Sequence, residues 1–78
     1  SLFSVLESLG REAVDPLLRL LAHREPEVRT WAAYTLGKLG EDAAPALPAL
    51  EKSAGEDPDD LTRTWAGDSL RRVQAEER

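Results

Sequence analysis

Cysteine and methionine are absent from this 78-residue chain, and histidine occurs once, as His23. Without cysteine there is no disulfide, no thiol nucleophile and no Cys/His zinc site of the usual ligand count. Isoleucine is missing too, whereas thirteen Leu and eleven Ala dominate the apolar residues. That selection favours helix over strand. Positive charge is scarce: ten Lys and Arg face fifteen Asp and Glu, for a net charge of −5. A grip on phosphates needs a basic surface, so nucleic acid is excluded as the expected partner and a basic or mixed protein segment fits better. No apolar run approaches the roughly 18 residues that cross a bilayer, and no cleavable leader is visible, so no membrane partner is expected. Glycine-rich phosphate loops are lacking, and Ser1, Ser4, Ser8, Ser53 and Ser69 stand in no nucleophile motif. Neither an enzymatic activity nor a cofactor is expected.

What is present is self-similarity. Leu6, Leu9 and Gly10 recur as Leu36, Leu39 and Gly40, and Ala13 and Leu17 as Ala43 and Leu47, an offset of 30. Arg29-Thr-Trp-Ala-Ala33 recurs as Arg63-Thr-Trp-Ala-Gly67, an offset of 34, with the added residues falling in 53–60. Val14, Leu17, Leu18 and Leu21 follow helical spacing, as do Val28, Ala32, Thr35, Leu36 and Leu39, so each segment hides one face. The reading is all-α: an α-solenoid of two stacked antiparallel helix pairs preceded by one short helix. The pairs are placed at about 12–23 with 26–39, and 43–54 with 59–75, after a short helix at 2–9. Gly10, Gly40 and Gly55 are read as left-handed helix ends. Pro26 and Pro58 are read as first helical residues behind an acidic cap. Pro16, Pro45 and Pro48 leave two options for the first helix of each pair, a start near Asp15 or a kink.

The stretch Glu25-Pro-Glu-Val-Arg-Thr-Trp-Ala-Ala-Tyr-Thr-Leu-Gly-Lys-Leu-Gly40 and the following 43–50 resemble a HEAT repeat. More narrowly, they are similar to the short bacterial HEAT-like repeats also found in phycobilin lyases. The likeness weakens over 57–73, where Thr62, Gly67 and Arg71 depart from the pattern. It implies one domain over 1–78, divided into a trailing half-repeat (1–10), a repeat (11–40) and a second repeat (41–78), with further units expected upstream. It also implies a non-enzymatic protein-interaction scaffold that uses the concave face of the second helices. The alternative is a piece of a larger, lyase-like HEAT-repeat enzyme whose chemistry lies elsewhere.

Candidate partner-contacting residues are Trp31, Tyr34, Trp65, Lys38 and Asp68. Trp31 and Trp65 hold one position in successive helices, and with Tyr34 form an aromatic ledge for aliphatic or cationic side chains. The bland reading is that the indoles fill gaps between repeats. Their placement is similar to the tryptophan ladder of armadillo proteins, with Thr35 and Ser69 standing where that ladder carries Asn. Arg29 and Arg63 oppose the helix dipole and call for a carboxylate such as Glu25, Asp57 or Asp59. The cluster Glu56, Asp57, Asp59 and Asp60 lacks the glycine a calcium loop requires; it is read as a solvated turn, or as an acidic rim for a basic partner. His23 is read as a helix-end residue, where an imidazolium would suit the dipole. Gly37 and Gly67 lie inside helices, and at Gly37 the expected reason is a close-packed neighbour.

Overall fold

The computed structural model describes residues 1–76. Five α-helices follow one another: α1 Leu2–Leu9, α2 Val14–Leu21, α3 Pro26–Lys38, α4 Leu47–Glu56 and α5 Asp60–Glu76. No strand occurs among the described residues, as the sequence composition predicts. Helices α1, α3 and α5 form one layer, with α3 in the middle, while α2 backs α3 and α4 backs α5. The resulting slab measures 28 × 28 × 15 Å. None of the described helices is long and apolar enough to cross a membrane.

Between the layers lie Ala13, Val14, Leu17, Ala32, Ala33, Leu36, Ala43, Ala46, Leu50, Ala66 and Val73, all buried. Alanine is prominent because helix axes can draw together where side chains are short, and packing density is kept by interleaved Leu. The two predicted stripes supply Val14, Leu17, Ala32 and Leu36 of this core, with Leu18 and Leu39 packed at its edge, and the second pair supplies the rest of its leucine and valine through Leu50 and Val73.

The prolines decide how the first helix of each pair begins. Gly10–Ala13 and Gly40–Ala46 are 3₁₀ segments leading into α2 and α4. Pro16 and Pro48 fall in the first turn of their helices, where the missing N–H has no partner to lose. The start near Asp15 is therefore the observed solution, one residue early at Val14. In the second pair the α-helix begins at Leu47, later than the expected 43, because Pro45 and Pro48 cannot donate to the i−4 carbonyls. Gly10 (φ 61°) and Gly40 (φ 58°) take up positive φ, a conformation that side-chain-bearing residues disfavour. Gly55 does not; it lies within α4, which ends extended at Asp57. Pro26 opens α3 behind Glu25 as expected, but Pro58 precedes α5 by two residues, and Asp59 caps that helix instead.

Candidate functional site

Helices α3 and α5 approach closely because the residues between them are small. A side chain at Gly37 would put its Cβ 2.8 Å from Ser69 Cβ, so the neighbour expected at Gly37 is there. The Ser69 hydroxyl donates to the Ala33 carbonyl at 2.6 Å, tying one helix to the backbone of the other. At the opposite end of the contact, Thr62 and Thr30 hydroxyls lie 2.9 Å apart.

This packing fixes what the layer shows on its outer side. Along α3, Glu27, Trp31, Tyr34 and Lys38 recur at four- and three-residue steps, and along α5 Leu61, Trp65, Asp68 and Arg72 do the same. Tyr34 stands between the two indoles, T-shaped to both. Its ring centroid is 5.6 Å from Trp31 at 85° and 5.2 Å from Trp65 at 86°. Phe3 of α1 stacks on Trp31 at 6.2 Å and 27°. Four rings thus form one row across α1, α3 and α5, held in the offset and edge-to-face arrangements that aromatic quadrupoles prefer. Trp31 remains 51% exposed.

Both indoles and Tyr34 line one open groove of about 680 Å³, together with Glu25, Pro26, Glu27, Thr30, Asp59 and Leu61. Lys38 lies further along α3, 3.8 Å from Glu7 of α1 and with its ammonium 5.7 Å from the Tyr34 centroid. It borders a second hollow, between α1 and α3. Asp68 lies outside both, paired with Arg72 at 3.0 Å and Arg71 at 3.7 Å. Of the sequence-derived candidates the fold therefore gathers Trp31, Tyr34 and Trp65 in one groove, and leaves Lys38 and Asp68 beside it. Thr35 and Ser69 point inward: Thr35 is buried with its hydroxyl on the Trp31 carbonyl, and Ser69 is bound to α3. They have no free group for a passing peptide backbone.

The acidic cluster divides: Glu56 and Asp60 are exposed, as a solvated turn would have them, whereas Asp57 is sunk and Asp59 half-buried. Asp57 is 8% exposed and receives the Arg29 fork at 2.9 and 3.1 Å, while Arg29 also donates to the His23 and Arg24 carbonyls. Of the carboxylates considered for Arg29, Asp57 is the partner, and the pair bolts the α2–α3 loop to the α4–α5 loop. Arg63 repeats the gesture on its own loop, donating to the Asp57 carbonyl at 2.6 Å and pairing with Asp60. Glu56 borders a hollow between α2 and α4, away from the aromatics. The carboxylates that do edge the groove are Glu25, Glu27 and Asp59. Two of these lie in the first half of the chain, where the charge count is balanced and gives no signal. Phe3 escaped as well, because the 30-residue register aligns it with Ala33 and not with an aromatic. At His23, just past the end of α2, Nδ1 accepts from the Glu25 backbone N–H at 3.0 Å.

Asp59 caps α5 by accepting from the Thr62 backbone N–H at 3.0 Å and its hydroxyl at 2.9 Å. Those two bonds hold its carboxyl below the ordinary value of 3.8, against a smaller opposing effect of burial. Because the folded value lies below the unfolded one, the stabilisation is complete above the ordinary carboxylate range. It is lost as pH falls through the folded value. Thermal unfolding followed by circular dichroism from neutral to strongly acidic pH is expected to show a shallower acid-side fall in Asp59→Asn than in the parent. Parallel curves would remove Asp59 from the acid response.

The family profile of HEAT repeats matches residues 4–71. No curated protein and no solved structure matches the chain.

Proposed function

We propose, from the premise that the chain belongs to the HEAT-repeat family, that it is a non-enzymatic interaction module whose α1, α3 and α5 layer receives a protein segment. Repeats of this family commonly serve as protein-interaction scaffolds. The observation that carries the reading is the row Phe3, Trp31, Tyr34 and Trp65, which crosses all three helices and whose last three rings line an open groove. Rings used only as core filling would be hidden, whereas half of Trp31 faces water. Large amphipathic rings on a rigid support gain contact area at little entropic cost, which is why they recur as anchors at interfaces. In this reading the layer serves as the concave face expected of the second helices, with the half-repeat 1–10 and the repeats 11–40 and 41–78 each supplying one helix to it.

The preferred partner is a basic or mixed segment. Glu25, Glu27 and Asp59 edge the groove, and no Lys or Arg lines it. Lys38 and Asp68 extend the surface toward the other end of α3 and α5, Lys38 loosely paired with Glu7 and Asp68 hydrogen-bonded to Arg72.

A titration with a basic leucine-containing octapeptide, read by tryptophan fluorescence, tests this. Binding is expected to weaken with added salt, and Trp31→Ala combined with Trp65→Ala should lower affinity by about tenfold or more. An unchanged affinity in a double variant that remains helical, or equal binding of an acidic peptide, would remove the groove from the interaction.

A further inference from the structure

We infer that the groove between α3 and α5 is built for one arginine side chain of the bound segment, an assignment that rests on the interaction reading above. Three features of the site converge on a guanidinium.

First, the aromatic row already hosts one cation. Lys38 sits over Tyr34, on the side of the row that faces α1, where Glu7 balances its charge. The groove on the other side has similar ingredients and no basic residue in its lining: aromatic rings from Trp31, Tyr34 and Trp65, and carboxylates from Glu25, Glu27 and Asp59, of which Asp59 already feels Arg29 and Arg63 from outside the groove. Neither Glu25 nor Glu27 forms an ion pair among the described residues.

Second, one of those carboxylates is fixed in place. Asp59 Oδ2 is occupied by the two Thr62 donors, which orients the group at the N-terminus of α5. Its other oxygen, Oδ1, accepts no hydrogen bond among the described residues, and the carboxylate lines the groove. A donor entering the groove meets a preset acceptor whose ordering cost is already met within the fold.

Third, the walls select the type of cation. Pro26 and Leu61 close the groove beside the rings, so the interior is mainly apolar. A guanidinium is planar, weakly hydrated and able to stack on an indole while its fork donates in the ring plane to carboxylates. An ammonium is compact and strongly hydrated, and loses more by entering such a site. Arginine therefore satisfies the rings and the rim together, and lysine satisfies chiefly the rim.

The test uses three blocked pentapeptides, Gly-Leu-X-Leu-Gly with arginine, lysine or citrulline at X. Citrulline keeps the shape of arginine and removes its charge. Nuclear magnetic resonance of the full chain follows the indole N–H signals of Trp31 and Trp65. The arginine peptide is expected to shift both signals, with the lysine peptide about threefold weaker and the citrulline peptide about tenfold weaker. Glu27→Gln and Trp31→Ala should each weaken the arginine peptide about threefold to tenfold. Glu27 is exposed and forms no ion pair among the described residues, so Glu27→Gln should keep the parent's thermal midpoint, whereas Trp31→Ala also gives up its packing on Phe3 and Tyr34 and should lower it. Equal affinity for arginine and citrulline overturns the arginine assignment and leaves the groove as a general binding surface. Unmoved indole signals with all three peptides, while the longer basic octapeptide still binds, overturn it as well and place the interaction elsewhere on the layer. Failure of the octapeptide too removes the interaction reading itself.

Discussion

Replacing Asp57 by Ala is expected to leave the chain largely unfolded near body temperature. Arg29 is 13% exposed and Asp57 8%, and the two are joined by a two-pronged bond. Removing one partner strands the other charge in a poorly solvated place, at a cost of about 3–5 kcal/mol. A domain of this size holds roughly 4–12 kcal/mol in total. Asp57 Oδ1 also accepts the Asp59 backbone N–H at 2.9 Å, so the turn into α5 loses its shape at the same time. The prong geometry matters as well as the charge: Asp57→Asn retains one acceptor and should cost about half as much. Combining Arg29→Met with Asp57→Leu removes both charges and is expected to regain much of the loss. Urea unfolding monitored by tryptophan fluorescence gives the comparison, provided the slope stays constant across variants. A shift below about 0.5 kcal/mol for Asp57→Ala would show that the pair is merely tolerated.

The second large effect comes from a single methyl group placed at two equivalent-looking glycines. At Gly37 the new Cβ would lie 3.0 Å from the Ser69 Cα, which is main chain and cannot swing aside. Helices α3 and α5 must separate, and the Ser69 bond to the Ala33 carbonyl is stretched with them. Overpacking of this kind costs about 1–3 kcal/mol and the lost bond about 1 more, against roughly 1 kcal/mol gained in helix propensity. At Gly67 the nearest atoms are Arg71 Nη1 at 3.8 Å and Ala54 Cβ at 3.9 Å. There the methyl group meets ordinary contact, and Gly67→Ala should stabilise by about 1 kcal/mol. Opposite signs in the two melting-temperature shifts are the expected result. Equal signs would mean that the helices slide freely over one another, and a steric cause is distinguished by a double-mutant cycle, in which Gly37→Ala and Ser69→Gly together should cost less than the sum of the two single changes because the second removes the side chain the first collides with.

The helix-pair architecture was legible because its determinants are periodic. Leucines and alanines at helical spacing, repeated after 30 and 34 residues, leave little choice of fold, and Trp31 and Trp65 inherit a shared face from that repetition. What the repeat could not convey depends on single residues that break it. Pro45 and Pro48 delay α4, because each lacks an N–H and only the three-dimensional course reveals how long the 3₁₀ segment runs. Asp57 and Asp59 look alike as letters in an acidic run. One is sunk under Arg29 and the other caps a helix at the groove edge, a difference set by partners 28 and 3 residues away. Glu25 and Glu27 became groove carboxylates only through the placement of α3 against α5.

Helix α1 contributes Leu6 alone to the buried core, yet its Phe3 covers one face of Trp31. Whatever loosens this element would take Phe3 out of the row and bare a second face of the indole to solvent. Removing that cover with Phe3→Ala is therefore expected to move the tryptophan emission toward longer wavelength, and the shift should vanish when Trp31 is also replaced.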